Sequence, residues 1–444
     1  MGSVCTGWVD CTPRRPPIRF YNGDLPGLPD PRVSIMSTIQ TTQLDCGAVC
    51  LVEPIPNVSS VALNFLVPAG SATDRPESDG VAAILSELIF RGAGGLSSRA
   101  HSDALDRLGV LRSSQVGVYH LRLTATFLGD RLDEALPLLI AMLRRPALPA
   151  DALEAVRSLC LQSLDSLDDD PQHMVMLRLH QRHLAEPFNR HGYGCREVLE
   201  RCSIETLREA WEARCRPGGS IVAAAGAVEP AALARGLDRL LAGWTGQTPS
   251  PVELRPPSRG RFHIEKDTAQ MHIGLACDAP REAEASSTLE RLAVGVLSGG
   301  TSARLFTEVR QKRSLCYSVG AAYHGGRDHG LVSLYAGTTP DRAAETLAVC
   351  RAEVERLGQG VRPEELSRAA IGLKSHLIMQ GESTAARAAA IANDHFRLGR
   401  ARTLDEISGL IDAVGIEKLN AYLTTRRFGE FTVATVGPRP PKEE

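Results

Sequence analysis

Residues 80–95 read GVAAILSELIFRGAGG. Val81, Ile84, Leu85 and Leu88 recur at helical spacing and predict an amphipathic helix, and the glycines after Phe90 predict a tight exit turn. Upstream, SVALNFLVPAG (59–69) is strand-like. Downstream come GGLSSRAHSDALDRLG (94–109), then VLRSSQVGVYHLRLTATFL, which alternates like a hairpin, then the helical DRLDEALPLLIAML (130–143).

The same succession returns later. QMHIGLACDAP (270–280) reads as a strand and EASSTLERLAVGVL (284–297) as a helix. GGTSARLFTEVRQKRS (299–314), the strand-like CYSVGAAYHGGRDHGLVSLYAG and the helical DRAAETLAVCRAEVERL follow. One 205-residue step carries Gly94 to Gly299 and Arg99 to Arg304. Each portion continues with long helices, about 150–186 and 363–398, and closes with a strand, SIVAAAGAV (220–228) and FTVATVGP (431–438). Element order repeats along with residues, so this is an internal duplication. The fold class expected is α+β: two homologous domains, each an antiparallel sheet with helices packed on one face.

The boundary between the portions is TGQTPSPVELRPPSRGRF (245–262), whose prolines suit an extended linker. The expected organisation is an N-terminal extension at 1–37, a first domain at 38–245, a linker at 246–262 and a second domain at 263–444. Lys plus Arg (50) nearly balances Asp plus Glu (52), which argues against a nucleic-acid or membrane-surface binder. No apolar run approaches the roughly 20 residues that span a bilayer. MGSVCTGWVDCTPRRPP lacks the apolar stretch of a secretion signal, so a cytoplasmic location is expected. Eleven scattered cysteines read as a reduced set of packing residues; Cys46 and Cys50 are expected on one strand, facing the same side.

Common catalytic signatures fail. The chain has no GxxxxGK[ST] and no GxSxG, and GAGGLS (92–97) follows a helix and lacks a third glycine. His180 and His183 stand i, i+3 without a nearby carboxylate and read as surface or capping residues. His324 and His329 flank GGRD and read as a solvated loop.

As a whole the sequence resembles the pitrilysin/insulinase family of zinc peptidases, in the branch that includes mitochondrial processing peptidase. The resemblance runs from about Thr42 to Gly437. It is carried by LDCGAVCLVEP (44–54), GSATDRPESDGVAAILSELIFRG (70–92), LQSLDSLDDDP (161–171), GGTSARLFTEVRQKRSLCYSV (299–319), RPEELSRAA (362–370) and VATVGP. Ser314 departs from the family's usual Gly, and Cys46 from its usual turn Asn.

Catalytic members carry HxxEH on the first helix, two histidines that bind zinc and a glutamate that activates water, with a second glutamate further on completing the ligands. Aligned on Gly80, Phe90 and Gly92, these positions are Ala83, Ser86 and Glu87; the later ligand falls on Ser163. One carboxylate is far from a closed ligand set, so no metal or other cofactor is expected in this chain. The resemblance implies that Arg310 and Tyr317 contact substrate across a closed chamber; by residues alone they read equally as a capping Arg and a strand Tyr. Gly299 and Gly300 match the start of the family's glycine-rich substrate loop, or form a plain helix-entry turn. In heterodimeric members one chain supplies HxxEH and the other, metal-free, supplies substrate contacts. The expectation is therefore a non-catalytic subunit of a two-chain zinc endopeptidase, acting on unfolded peptides with zinc held by a homologous HxxEH partner. The alternative is a structural assembly protein comparable to the non-proteolytic core subunits of a respiratory complex.

Overall fold

The computed structural model describes residues 38–248 and 254–441. The expected extension at 1–37 and the middle of the expected linker lie outside the described residues. The first half supplies β1 (Gln40–Gln43), β2 (Val49–Pro54), β3 (Ser60–Val67), β4 (Leu111–Val116), β5 (Leu121–Leu128) and β6 (Ile221–Gly226). The second supplies β7 (Arg261–Glu265), β8 (Met271–Ala279), β9 (Cys316–Gly325), β10 (Gly330–Thr338) and β11 (Thr432–Gly437). The sheet orders are β1-β2-β6-β3-β5-β4 and β9-β10-β8-β11-β7. Apart from β1 these are one topology written in opposite directions, which bears out the duplication.

Two details differ from the expectation. Each sheet contains one parallel pair, β2 with β6 and β7 with β11, among otherwise antiparallel neighbours. β7 begins at Arg261, inside the stretch read as linker.

The helices follow the same repeat: α1 (Val81–Leu88), α2 (Leu132–Arg144), α3 (Leu153–Asp165) and α4 (Pro171–His183), then α5 (Ser287–Ser298), α6 (Ala343–Glu355), α7 (Pro363–Gly381) and α8 (Thr384–Leu398). Each stretch read as long helix is thus a pair. The second member of each pair crosses over, so helices cover both faces of each sheet and not the single face expected, because each sheet's second face is filled by a helix from the other half. On β3, Val61, Leu63, Phe65 and Val67 join the core that α1 and α2 fill. Leu66 faces the other way, into a core with Ile391 and Ala392 of α8. Reciprocally, Met174, Val175 and Leu179 of α4 pack on Ala276, Ala434 and Val436 of the second sheet. A strand buried on both faces needs apolar residues throughout, which explains why SVALNFLV barely alternates.

Local chemistry starts both crossing helices. Asp170 accepts a hydrogen bond from the His173 N–H at 2.9 Å, with Pro171 at the first helical position. Ser383 accepts from Ala386 N–H at 3.3 Å, and α8 ends at Gly399, φ +74°. The alanines of α8 let it lie close on a sheet face that is itself alanine-rich (Ala62, Ala223, Ala225). Arg387 of α8 pairs with Glu53 of β2 at 2.7 Å, with both side chains about 3% exposed.

Cys46 sits in the turn before β2 rather than on the strand, although it packs against the same core as Cys50. The nine described cysteines are unpaired, seven of them buried. Of the four histidines read as surface or loop groups, His324 is exposed and His329 half-buried at the β9–β10 turn, His180 is half-buried, and His183 departs from the expectation. His183 is fully buried and bonds Thr432 Oγ1 at 2.9 Å, and His180 meets the His324 ring edge-on at 5.8 Å. His324 bonds Ser333 Oγ at 2.9 Å. They converge because α4 lies on the second sheet beside the β9–β10 hairpin, a juxtaposition no local spacing announces.

Removing one member of a buried ion pair takes away the charge that offsets the other's desolvation. Arg387→Met is therefore expected to cost about 3–5 kcal/mol in urea unfolding, while Glu53→Leu/Arg387→Met together recover most of it. Burial, and then the neighbouring His324, lower the His180 pKa to about 4, while the unfolded imidazole titrates near its ordinary value of 6.5. The unfolded chain then binds the extra proton between these values. Stability is fully present above about pH 6.5 and is lost as pH falls toward 4. The urea midpoint should drop across that window, with a shallower slope in His180→Gln.

Candidate functional site

A buried carboxylate fixes the start of α1. Asp74, with no exposed surface, accepts hydrogen bonds from Gly80 N–H at 3.1 Å and Ala82 N–H at 3.3 Å, and pairs with Arg214. It thereby satisfies amide groups that a helix start leaves open. Gly80 adopts φ +126°, and a Cβ on Gly194 would lie 2.4 Å from Gly80 Cα, so both positions require glycine. That contact brings the 191–195 loop over α1.

The result is a hollow of about 340 Å³ lined by Ala83, Ser86 and Glu87 of α1, Cys160 and Ser163 of α3, and Gln115 of β4, with His191 and Tyr193 above. The three positions matched to zinc ligands, Ala83, Glu87 and Ser163, thus come together in one place with Ser86, the position matched to the water-activating glutamate. Their chemistry does not suit the metal. Ser86 donates to Ala83 O at 2.8 Å and Ser163 to Leu159 O at 2.9 Å, so both hydroxyls turn back onto their own helices. Burial and the charge of Glu87 push the Cys160 thiol up to about 12, far from thiolate at neutral pH. Burial, then Arg178 and His173, lower His191 to about 4. No group of three His, Cys, Asp or Glu among the described residues is arranged to hold a metal ion. The residues present do not fit zinc.

In the second half, Arg310 lies on a π-helical turn, Phe306–Gln311, and Tyr317 enters β9 at a register irregularity. The structure joins them: the Arg310 guanidinium stands over the Tyr317 ring at 4.7 Å and over Phe306 at 4.8 Å. Tyr317 is 80% exposed, unusual for an aromatic that served only packing. The residues lining the hollow all come from the first half, so within one chain this pair does not enter it. Gly299 caps α5, its N–H donating to Gly295 O at 2.7 Å, and Gly300 follows at φ +152°. This is the helix-end turn, with no described contact to Arg310 or Tyr317.

Two sequence profiles match the chain. The profile described as insulinase (peptidase family M16) covers residues 49–194, and that described as peptidase M16 inactive domain covers 201–373. The chain belongs to the insulinase family. Among its relatives are proteins described as uncharacterized zinc proteases. One from Bacillus subtilis (strain 168) is 24% identical over 88% of this chain and 96% of the relative. Another from Mycobacterium bovis is 27% identical over 89% and 92%. Solved structures share the fold. A peptidase M16 inactive domain from Pseudomonas fluorescens aligns with TM-score 0.82 at 19% identity, over 91% of this chain and 100% of that one. A protease from Helicobacter pylori gives 0.83 at 17% identity, over 90% and 100%. A chain of complex III2 from Candida albicans gives 0.78 at 17% identity, over 90% and 96%.

Sequence reasoning missed Gln115, Cys160, His191 and Tyr193 around this insulinase-family hollow. The glycine-spaced HGYGC at 191–195 was the available signal. Ser314, where the family usually has Gly, adopts φ +52°, a left-handed conformation. Ser314→Gly should therefore raise stability by about 1 kcal/mol in urea unfolding. Restoring the ligand types also tests the hollow. Ala83→His, Ser86→Glu, Glu87→His and Ser163→Glu together are expected to retain one zinc per chain after dialysis, whereas the native chain retains none.

Proposed function

We propose that this insulinase-family chain is a metal-free, non-catalytic subunit of a two-chain zinc endopeptidase in the cytoplasm. It contributes peptide binding and chamber closure to a homologous HxxEH partner that holds the zinc. One observation carries this reading: every zinc position is replaced, yet the hollow and the stacked Arg310–Tyr317 pair persist.

Other features support it. β4 is an edge strand, so its outer N–H and C=O groups are open to an added strand. Its residues Ser114, Gln115 and Val116 line the hollow, so an extended peptide paired along β4 would pass directly over it. An unfolded peptide supplies backbone groups for such pairing. A folded protein does not. On the second half, Tyr317 offers an exposed hydroxyl and Arg310 a fork suited to a carboxylate or carbonyl. Ile371, Ile378 and Met379 stand exposed on one face of α7, an apolar stripe suited to a protein partner.

A second reading is favoured by the likeness to a chain of complex III2: assembly without proteolysis, comparable to non-proteolytic core subunits of a respiratory complex. Co-purification separates the two. A soluble HxxEH chain as partner supports the first reading, and a membrane complex supports the second. With a candidate HxxEH partner, cleavage of an unfolded peptide is expected to need both chains. Arg310→Ala/Tyr317→Phe should then lower kcat/KM by about tenfold or more. Unchanged cleavage by the double variant would remove the substrate role.

A further inference from the structure

Away from the hollow under β4, a second cavity of about 400 Å³ opens where the two halves meet. Its walls are the β4–β5 turn with Arg122 of β5, the β9–β10 turn, and the last turns of α8. Four guanidinium groups (Arg122, Arg291, Arg327, Arg397) and three imidazoles (His120, His324, His329) line it, and no carboxylate does. In a chain whose formal charge is −2, such one-signed lining is a local concentration of positive charge.

The surrounding acids are already engaged. Glu282 pairs with Arg291 at 2.7 Å and with Arg402 at 2.9 Å, and Asp394 pairs with Arg402 at 2.7 Å. Asp328, beside Arg327 in the chain, is exposed and is not among the lining residues, although its carboxylate stands against Tyr119 and close to His329 at the rim. Arg122, Arg327 and Arg397 therefore have no ion-pair partner among the described residues. Arg122 donates only to the neutral Asn393 Oδ1, at 3.2 Å. Burial, and then the charge of Arg397, push the Arg122 guanidinium below its ordinary value.

The geometry is held in place from behind. The Phe396 ring carries the Arg327 guanidinium 5.1 Å above it and meets the His120 ring edge-on at 4.4 Å. His120 is buried and has no side-chain hydrogen bond among the described residues. Stacked guanidinium groups keep their N–H forks free and pre-oriented, which suits bidentate contact with an oxyanion. Part-buried Arg122 is a cation without an ion-pair partner and is costly to hold there, and an anion of matching geometry, shared with the exposed Arg327 and Arg397, removes that cost.

We propose that this cavity binds a small, multiply charged oxyanion, one that carries two or more phosphate or carboxylate groups. Gln115 of β4 lines both this cavity and the hollow beside α1, but none of this cavity's arginines or histidines lines that hollow, and the inference does not depend on a peptidase role. A ligand there would contact the β4–β5 turn of the first half and the β9–β10 hairpin and α8 of the second at once, bridging the two halves.

Titration calorimetry on the full chain at fixed ionic strength tests this, with inorganic pyrophosphate, citrate and a glutamate-rich peptide as separate probes. Pyrophosphate or citrate is expected to bind saturably at one site. The preferred probe distinguishes a phosphorylated ligand from a polycarboxylate, and either result supports the site. Arg327→Gln and Arg397→Gln, both at exposed positions that leave the cores intact, are each expected to weaken binding about tenfold, the loss of one charge-assisted contact. Arg131→Gln, at a distant surface position, should bind as the native chain does, and circular dichroism confirms that each variant is folded. No saturable binding below about 1 mM, equal binding by the folded Arg327→Gln/Arg397→Gln chain, or binding of the acidic peptide alone would overturn the proposal.

Discussion

The exchange of α4 and α8 between the halves is the constraint on which everything else rests. Each sheet has one face filled by its own helices and the other filled by a helix from the opposite half. Neither half can bury both faces of its sheet alone, so the two fold as one body. Glu53 and Arg387 lock the exchange chemically: a charge on β2 finds its partner only when α8 has arrived. A pair so thoroughly desolvated adds little net stability over an apolar pair, but it penalises any misplacement of α8 heavily.

That rigidity lets a former reaction centre survive as a shape. α1 keeps its start through Asp74 and its close approach to Gly194, and α3 keeps its face toward α1. The ligand positions changed without collapse because none of them holds the wall together. Ser86 and Ser163 return their hydroxyls to their own helices, and Ala83 is a small core residue. The positions matched to the family's chemistry and the residues that hold the architecture are different ones here.

Much of the fold was legible in the sequence because duplication doubles every signal. Gly94 and Gly299, or the closing strands near 221 and 432, corroborate one another across a fixed step. The degenerate positions were legible too, since Gly80, Phe90 and Gly92 fix the register of α1. The helix exchange was not read, although the unbroken apolar runs of SVALNFLV and IVAAAG carry its trace. A strand covered on both faces loses its alternation, and a sheet with one solvated face keeps it. The histidines and the arginine-lined cavity were beyond local reading. Their members come from α4, α8 and two hairpin turns far apart in the chain, and only the exchange brings them together.

The exchange also bears on how such a chain arose and how it is made. A single half, present alone, could complete its sheet only by trading its α4-type helix with a second copy, which describes a swapped homodimer. Joining two copies end to end makes that trade intramolecular and replaces a concentration-dependent assembly with a tethered one. During synthesis the apolar face of α4 emerges long before β8 and β11, the strands it will cover. The nascent first half must keep Met174, Val175 and Leu179 out of harm until the closing strand near residue 437 has been made.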